Sequence, residues 1–253
     1  MTSLIIRTLF SPNKEYLTIN MNGIINTSRY LNGCDLLIIG WANDFQDEIN
    51  QFIKNHKLNF GSIKTIFYHF NYGKKQIYND LIQFDENYEY YIFLDHDILF
   101  DDVIDLQSIY KLFDYQINGK NIGMIIFNQT EDCRHQHDIY TYHCKLINFN
   151  LCWPKKNESI ACGSIITKKI FFSNLVKFDL DSVYGLDDVY LTNQYDTLGL
   201  AKIILQDIFV IHPFDQNISY CQWKKESVIK MINGKKNNYY ADVLESKIFW
   251  KSI

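Results

Sequence analysis

Tyr90-Tyr91-Ile92-Phe93-Leu94-Asp95-His96-Asp97 is the stretch on which the fold turns. Its first five residues are apolar or aromatic without alternation. A run this short and this uniformly apolar, once bounded by polar residues, reads as a strand covered on both faces. Strands of that kind belong to parallel sheets with helices packed on each side. Two carboxylates stand where the strand would end, and open α/β sheets bind their ligands at the carboxyl ends of strands.

The pattern repeats toward the N-terminus. Leu4-Ile5-Ile6-Arg7-Thr8-Leu9-Phe10 reads as a first strand, and Ser11-Pro12-Asn13 after it has the chemistry of a turn into a helix. Cys34 to Gly40 and Ile63 to Tyr68 read as further strands, and Asp47 to His56 and Lys74 to Phe84 as helices between them. Strands alternating with helices imply βαβ units and an α/β fold. Toward the C-terminus the expected elements are a helix over Asp105 to Tyr115 and a strand over Ile122 to Phe127. An apolar segment from Ile160 to Thr167 and a helix over Lys168 to Leu175 follow, then a helix opened by Tyr184-Gly185-Leu186-Asp187-Asp188 and continuing to about Leu198. Ile203-Ile204-Leu205 and Ile208 to Ile211 read as two short strands, the second leading to His212. Gln129 to Asn157 is polar and rich in His and Tyr, and its periodicity assigns no element.

Composition narrows the class. The 253 residues hold 47% hydrophobic and 21% charged residues, enough to build a sizeable core. The net charge of −4 gives no overall basic footprint for nucleic acid. Six cysteines fall at irregular spacings with no C-x-x-C pair, no apolar run is long enough to span a bilayer, and the N-terminal apolar run is too short for a signal peptide. The expectation is a cytoplasmic protein with reduced thiols. Lys224, Lys225, Lys230, Lys235 and Lys236 make the tail basic, which suits a solvated helix face or a peripheral contact with an anionic membrane surface.

Several side chains could carry chemistry. Asp95 and Asp97 repel each other where they stand, and a divalent cation with a preference for hard oxygen ligands, Mn²⁺ or Mg²⁺, is the natural counter-charge. A strand end capped by two solvated carboxylates is the plain alternative. Asp187 and Asp188 begin a helix, where carboxylates are favoured by the helix dipole, and could equally serve as a general base. His212 offers an imidazole ligand at a strand end. Gly73, with Lys74 and Lys75, precedes a helix and could approach a phosphate. Cys133, His135, His137, His143 and Cys144 are zinc-ligand types, but their spacing matches no zinc motif.

The order of these features resembles the inverting family 2 glycosyltransferases, which have a GT-A fold: a Rossmann-like, mainly parallel mixed sheet flanked by helices. The resemblance lies in Leu4 to Thr8, Ile38 to Asp44, Asn71-Tyr72-Gly73-Lys74-Lys75-Gln76-Ile77-Tyr78-Asn79, Phe93 to Asp97, Ala161-Cys162-Gly163-Ser164, Gly185-Leu186-Asp187-Asp188-Val189-Tyr190-Leu191 and Val210-Ile211-His212. It implies a metal-dependent transferase that moves a sugar from a nucleotide-diphosphate donor to a carbohydrate acceptor. Asp97 would be a direct metal ligand and His212 a further one. Asp95 would bind the donor's ribose or reach the metal through water. Asp188 would be the catalytic base, with Asp187 holding the acceptor. Gly163 and Ser164 would line the donor sugar pocket, Thr8 and Asp44 would lie near the nucleotide base, and Lys74 near the diphosphate. Gly40 and Trp41 stand where the family has an acidic residue that reads the base. Trp41 could stack on the base instead, so UDP- and GDP-sugars both remain open. Tyr78 and Tyr190 replace a basic and an acidic residue of the family pattern.

The expected organisation is a GT-A domain over residues 1–215, its nucleotide-binding half about 1–100 and its acceptor half about 101–215, with a helical extension over 216–253. Two rivals remain. A sugar-nucleotide nucleotidyltransferase would carry a Gly-rich basic loop after the first strand, and Leu9 to Lys14 has no Gly. A catalytically inactive glycan-binding protein of the same fold would have no need of Asp95, Asp97, Asp187, Asp188 and His212 together.

Overall fold

The computed structural model describes residues 2–11, 13–41, 45–68, 73–84, 87–129, 142–154, 160, 163–178 and 187–212. In chain order the elements are β1 (Ser3–Phe10), α1 (Lys14–Tyr30), β2 (Asp35–Trp41), α2 (Gln46–Asn55), β3 (Ile63–Tyr68), α3 (Gly73–Ile82), β4 (Tyr90–Leu94), β5 (Leu99–Phe100) and α4 (Leu106–Tyr110). A 3₁₀ turn (Lys111–Asp114) precedes β6 (Gln116–Ile117), β7 (Lys120–Gln129), β8 (Tyr142–Leu146), β9 (Phe149–Trp153), β10 (Ser164–Lys168), α5 (Lys169–Phe172), α6 (Asp187–Thr197) and β11 (Ala201–Ile211). The expected helical extension over 216–253 and its basic residues lie outside the described residues.

One sheet organises the chain, with strands in the order β3-β2-β1-β4-β10-β7-β11-β9-β8. β1, β2, β3 and β4 run parallel, as the alternation of strands and helices predicts. β10 then enters antiparallel between β4 and β7, and β11 returns parallel to β7. The result is the mixed, mainly parallel sheet of a GT-A architecture. Period-two alternation sends Ile5, Leu9, Ile38 and Ile92 to one face, where α1 and α2 cover them. Leu4, Ile6, Leu37, Tyr91 and Phe93 go to the other face, against α3, α5 and α6. All five residues of β4 are buried, which accounts for its unbroken apolar sequence.

Besides the two-residue strands β5 and β6, which the sequence reading does not assign, the structure differs from it in four places. The segment Ile203 to Ile211 is one strand rather than two, with a register break between Leu205 and Phe209 at the polar pair Gln206-Asp207. The helix expected to reach Tyr115 ends at Tyr110 and tightens into the 3₁₀ turn. The helix expected over Lys168 to Leu175 is the four-residue α5. The unassigned stretch contains the β8–β9 hairpin, which carries His143 and Cys144, whereas Cys133, His135 and His137 lie outside the described residues. No helix among the described residues is long and apolar enough to cross a membrane.

Ile92 is fully buried at the centre of β4. Its replacement by Ala should cost about 2–5 kcal/mol of stability, seen as a lower denaturant midpoint. A midpoint equal to wild type would mean that β4 is not the central strand.

Candidate metal and donor site

The chain turns immediately after β4. The Asp95 amide donates to the Gly163 carbonyl (2.8 Å), and the Ile98 amide donates back to the Asp95 carbonyl (3.2 Å). The turn therefore presents Asp95, His96 and Asp97 at the carboxyl edge of the sheet. It then enters β5, whose two residues pair antiparallel with the end of β11, Leu99 opposite Ile211 and Phe100 opposite Val210. That short ladder places His212, the next residue after β11, at Asp97. The His212 Nε2 atom lies 3.3 Å from Asp97 Oδ1.

Ligand atoms of Asp95, Asp97 and His212 all fall within 4.8 Å of one another. Asp97 and His212 are buried, and Asp95 is half-buried. Two carboxylates and an imidazole are a donor set that suits Mn²⁺, and the carboxylates suit Mg²⁺. The convergence fits a divalent cation chemically, since buried like charges need a counter-charge at this range. Gly163 makes room for it. A Cβ at Gly163 would sit 2.9 Å from His212 Cε1, 3.0 Å from Nδ1 and 2.7 Å from Ile98 Cδ1. The glycine thus seats the imidazole with its missing side chain and holds Asp95 with its carbonyl. Ser164 is fully buried, level with Leu94 at the end of β4, and its hydroxyl has no hydrogen-bond partner among the described residues.

Lys74 bridges this cluster to the second acidic pair. Its ammonium lies 2.7 Å and 2.8 Å from the two oxygens of Asp95, 3.5 Å from Asp187 and 3.9 Å from Asp188. Burial disfavours its charge, but Asp95, Asp188 and Asp187 outweigh that and hold its pKa well above the ordinary lysine value. Lys74 is therefore a fixed cation between the two acidic pairs. Lys75 does not join it. Its ammonium stands 4.8 Å from the centre of the Tyr190 ring, so this neighbouring lysine fastens α3 to α6. Tyr190 thereby packs α6 against α3. Gln194 of α6, a candidate for the Arg or Gln that follows the acidic motif in the family pattern, exchanges hydrogen bonds with both backbone groups of Val176 (2.7 and 3.0 Å) and so holds the segment after α5.

Asp187 and Asp188 occupy the first turn of α6. Thr8 is buried in β1 opposite Ile39. Trp41 ends β2, paired between Phe10 and Tyr68. Asp44, Asn71 and Tyr72 lie outside the described residues. The structure thus gathers Asp95, Asp97, His212, Gly163, Lys74, Asp187 and Asp188 at one edge. It also adds Arg7 and Asn26, which motif reading passed over. Arg7 had one signal, a charge inside an otherwise uncharged strand.

Several solved structures share this fold. S. aureus TarS, residues 1–349, superposes with a TM-score of 0.57 at 11% identity, over 100% of this chain and 71% of that one. The mannosyltransferase PcManGT from Pyrobaculum calidifontis, in complex with GDP-Man and Mn²⁺, gives 0.58 at 12% identity over 99% and 70%. GalNAc-T7 with UDP, GalNAc and Mn²⁺ gives 0.60 at 12% identity over 85% of this chain, which spans only 44% of that protein. These neighbours are GT-A glycosyltransferases, and at such identities the likeness establishes the fold. No protein-family model matches the sequence, nor does any curated protein.

Titration with Mn²⁺, followed by the paramagnetic signal of the free ion, should show one site in the wild type and none in Asp97→Ala. Gly163→Ala should weaken that site by about tenfold, the usual cost of disturbing the support of a metal ligand. Unchanged affinity in Gly163→Ala would mean that His212 is not a ligand.

Proposed function

We propose that the protein is a metal-dependent glycosyltransferase. It moves a sugar from a nucleotide-diphosphate donor to an acceptor hydroxyl of a carbohydrate, with inversion at the anomeric carbon. The observation that carries this reading is the convergence of Asp95, Asp97 and His212 within 4.8 Å, next to a lysine that contacts Asp187 and Asp188. A binding module gains nothing from placing a metal-ligand set and a second carboxylate pair around one cation. The Mn²⁺ in the complexes of GalNAc-T7 and PcManGT supports the same reading.

In this proposal Asp97 and His212 hold Mn²⁺ or Mg²⁺, and Asp95 orients the donor beside it. The ion supplies neutralisation of the charge that develops on the departing diphosphate. Lys74 adds a second positive charge on the same side and is within reach to exchange Asp95 for a phosphate oxygen. Gly163 and Ser164 face the donor sugar, and the buried Ser164 hydroxyl is a ready partner for one of its hydroxyls. Thr8, Trp41 and Asp44 flank the base, which is uracil or guanine. Asp188 takes the proton of the acceptor hydroxyl, whose oxygen attacks the anomeric carbon from the side opposite the diphosphate. Asp187 holds the acceptor in line. Correct placement of the two reactants is itself a large part of the rate.

A panel of nucleotide sugars incubated with the protein and Mn²⁺ should yield a free nucleoside diphosphate from a UDP- or GDP-sugar. Asp188→Asn should lower transfer by about 10²–10⁴-fold, the range for a general base, while donor binding persists. Absence of any metal-dependent nucleotide binding would overturn the proposal in favour of a non-catalytic protein of this fold.

A further inference from the structure

Arg7 is fully buried in β1, one position from the edge where the acidic groups gather, and it is the one charged residue of that strand. A buried guanidinium is costly unless its donors are used. Its Nη2 donates to the carbonyl of His96 and to that of Ile98, both at 2.9 Å, and these two carbonyls flank Asp97. Its Nη1 donates to Thr27 Oγ1 at 2.8 Å. The Thr27 hydroxyl spends its own hydrogen on the Gly23 carbonyl (2.8 Å), so toward Arg7 it can only accept.

Gly23 explains how the guanidinium fits. A Cβ there would lie 1.9 Å from Arg7 Nη2 and 2.7 Å from Cζ. A glycine within a helix is unfavourable in itself, and here it creates the space for the guanidinium. One turn on, Asn26 of the same helix donates to the Phe100 carbonyl and accepts from the Phe100 amide, both at 2.8 Å. Phe100 belongs to β5, the strand that sets His212 beside Asp97. Helix α1 therefore grips the metal turn on both sides of Asp97, through Arg7 and through Asn26.

We propose that Arg7, seated by Gly23 and Thr27, is a positioning residue of the metal site: it locks the backbone on either side of Asp97 so that the carboxylate faces His212, and it supplies a permanent positive charge beneath the two carboxylates. The proposal rests on the reading of Asp95, Asp97 and His212 as cation ligands. Arg7 itself touches neither donor nor acceptor. Burial pushes its pKa down to about 10, opposed by the charges of Asp97 and Asp95, so the guanidinium remains charged at neutral pH.

The test uses the full chain. Mn²⁺ affinity and the metal-free thermal midpoint are measured for wild type, Asp97→Ala, Arg7→Met, Arg7→Lys, Thr27→Val and Gly23→Ala. Arg7→Met should weaken Mn²⁺ binding by about 10–100-fold, the range for residues that support metal ligands. Arg7→Lys keeps the charge without the fork and should fall between Arg7→Met and wild type. Thr27→Val and Gly23→Ala should each weaken binding in the same direction, and Gly23→Ala should add nothing in the Arg7→Met background. A merely structural Arg7 would lower the thermal midpoint and leave the affinity of the folded protein unchanged. Wild-type affinity in Arg7→Met or in Thr27→Val, alongside loss in Asp97→Ala, overturns the proposal. If Arg7→Met does not fold, Thr27→Val and Arg7→Lys decide it by the same criterion. If the wild type binds no Mn²⁺, the reading of the metal site fails first and this proposal falls with it.

Discussion

Four carboxylates meet at the carboxyl edge of the central sheet, and their mutual repulsion is the constraint around which the rest of the molecule is arranged. Asp95 and Asp97 arrive on the turn after β4, and Asp187 and Asp188 arrive on the first turn of α6. Like charges this close are tolerated only beside positive ones. Lys74 stands between the two pairs and Arg7 lies buried beneath the first. Each cation has a different range of movement. Among the described residues, Arg7 is fixed by three hydrogen bonds to groups of the fold, whereas Lys74 is held by the carboxylates of Asp95, Asp187 and Asp188 and can change partners. In the proposed function, that difference suits a site which keeps its shape while a diphosphate enters and leaves.

The same edge depends on two glycines whose value lies in what they leave empty. A methyl group at Gly163 would strike the His212 ring, and one at Gly23 would strike the Arg7 guanidinium. Neither glycine has a φ in the left-handed region, so close approach and not backbone freedom explains them. The two-residue β5 is equally economical. Its pairing with β11 brings Asp97 and His212, more than a hundred positions apart in sequence, into one candidate ligand set.

Much of this could be read from the residues, because the strongest signals were also the most local. The apolar run Tyr90 to Leu94 ends in carboxylates, so both strand and site follow from one stretch. The parallel order of β1 to β4 follows from strands that alternate with helices. What escaped was structure set by distant partners. β5 is too short to show a period. The β8–β9 hairpin turns through Ile147 at φ 55°, a conformation that β-branched residues rarely adopt, so no Asn-Gly or similar signal marks it. β11 reads as two strands because Gln206 and Asp207 interrupt its apolar pattern, although the strand continues through a register break. Arg7 was visible only as a charge in the wrong place, and its purpose lies in carbonyls about ninety residues away.

The account as a whole stands on whether Asp97 and His212 share a cation. A crystal of the full chain grown with Mn²⁺ and a nucleoside diphosphate, with data collected at the manganese absorption edge, addresses this directly. The expected result is an anomalous peak bonded to a carboxylate oxygen of Asp97 and a ring nitrogen of His212, with the diphosphate on its open side. A peak bound elsewhere, or a diphosphate seated at this edge with no metal beside it, would contradict the account.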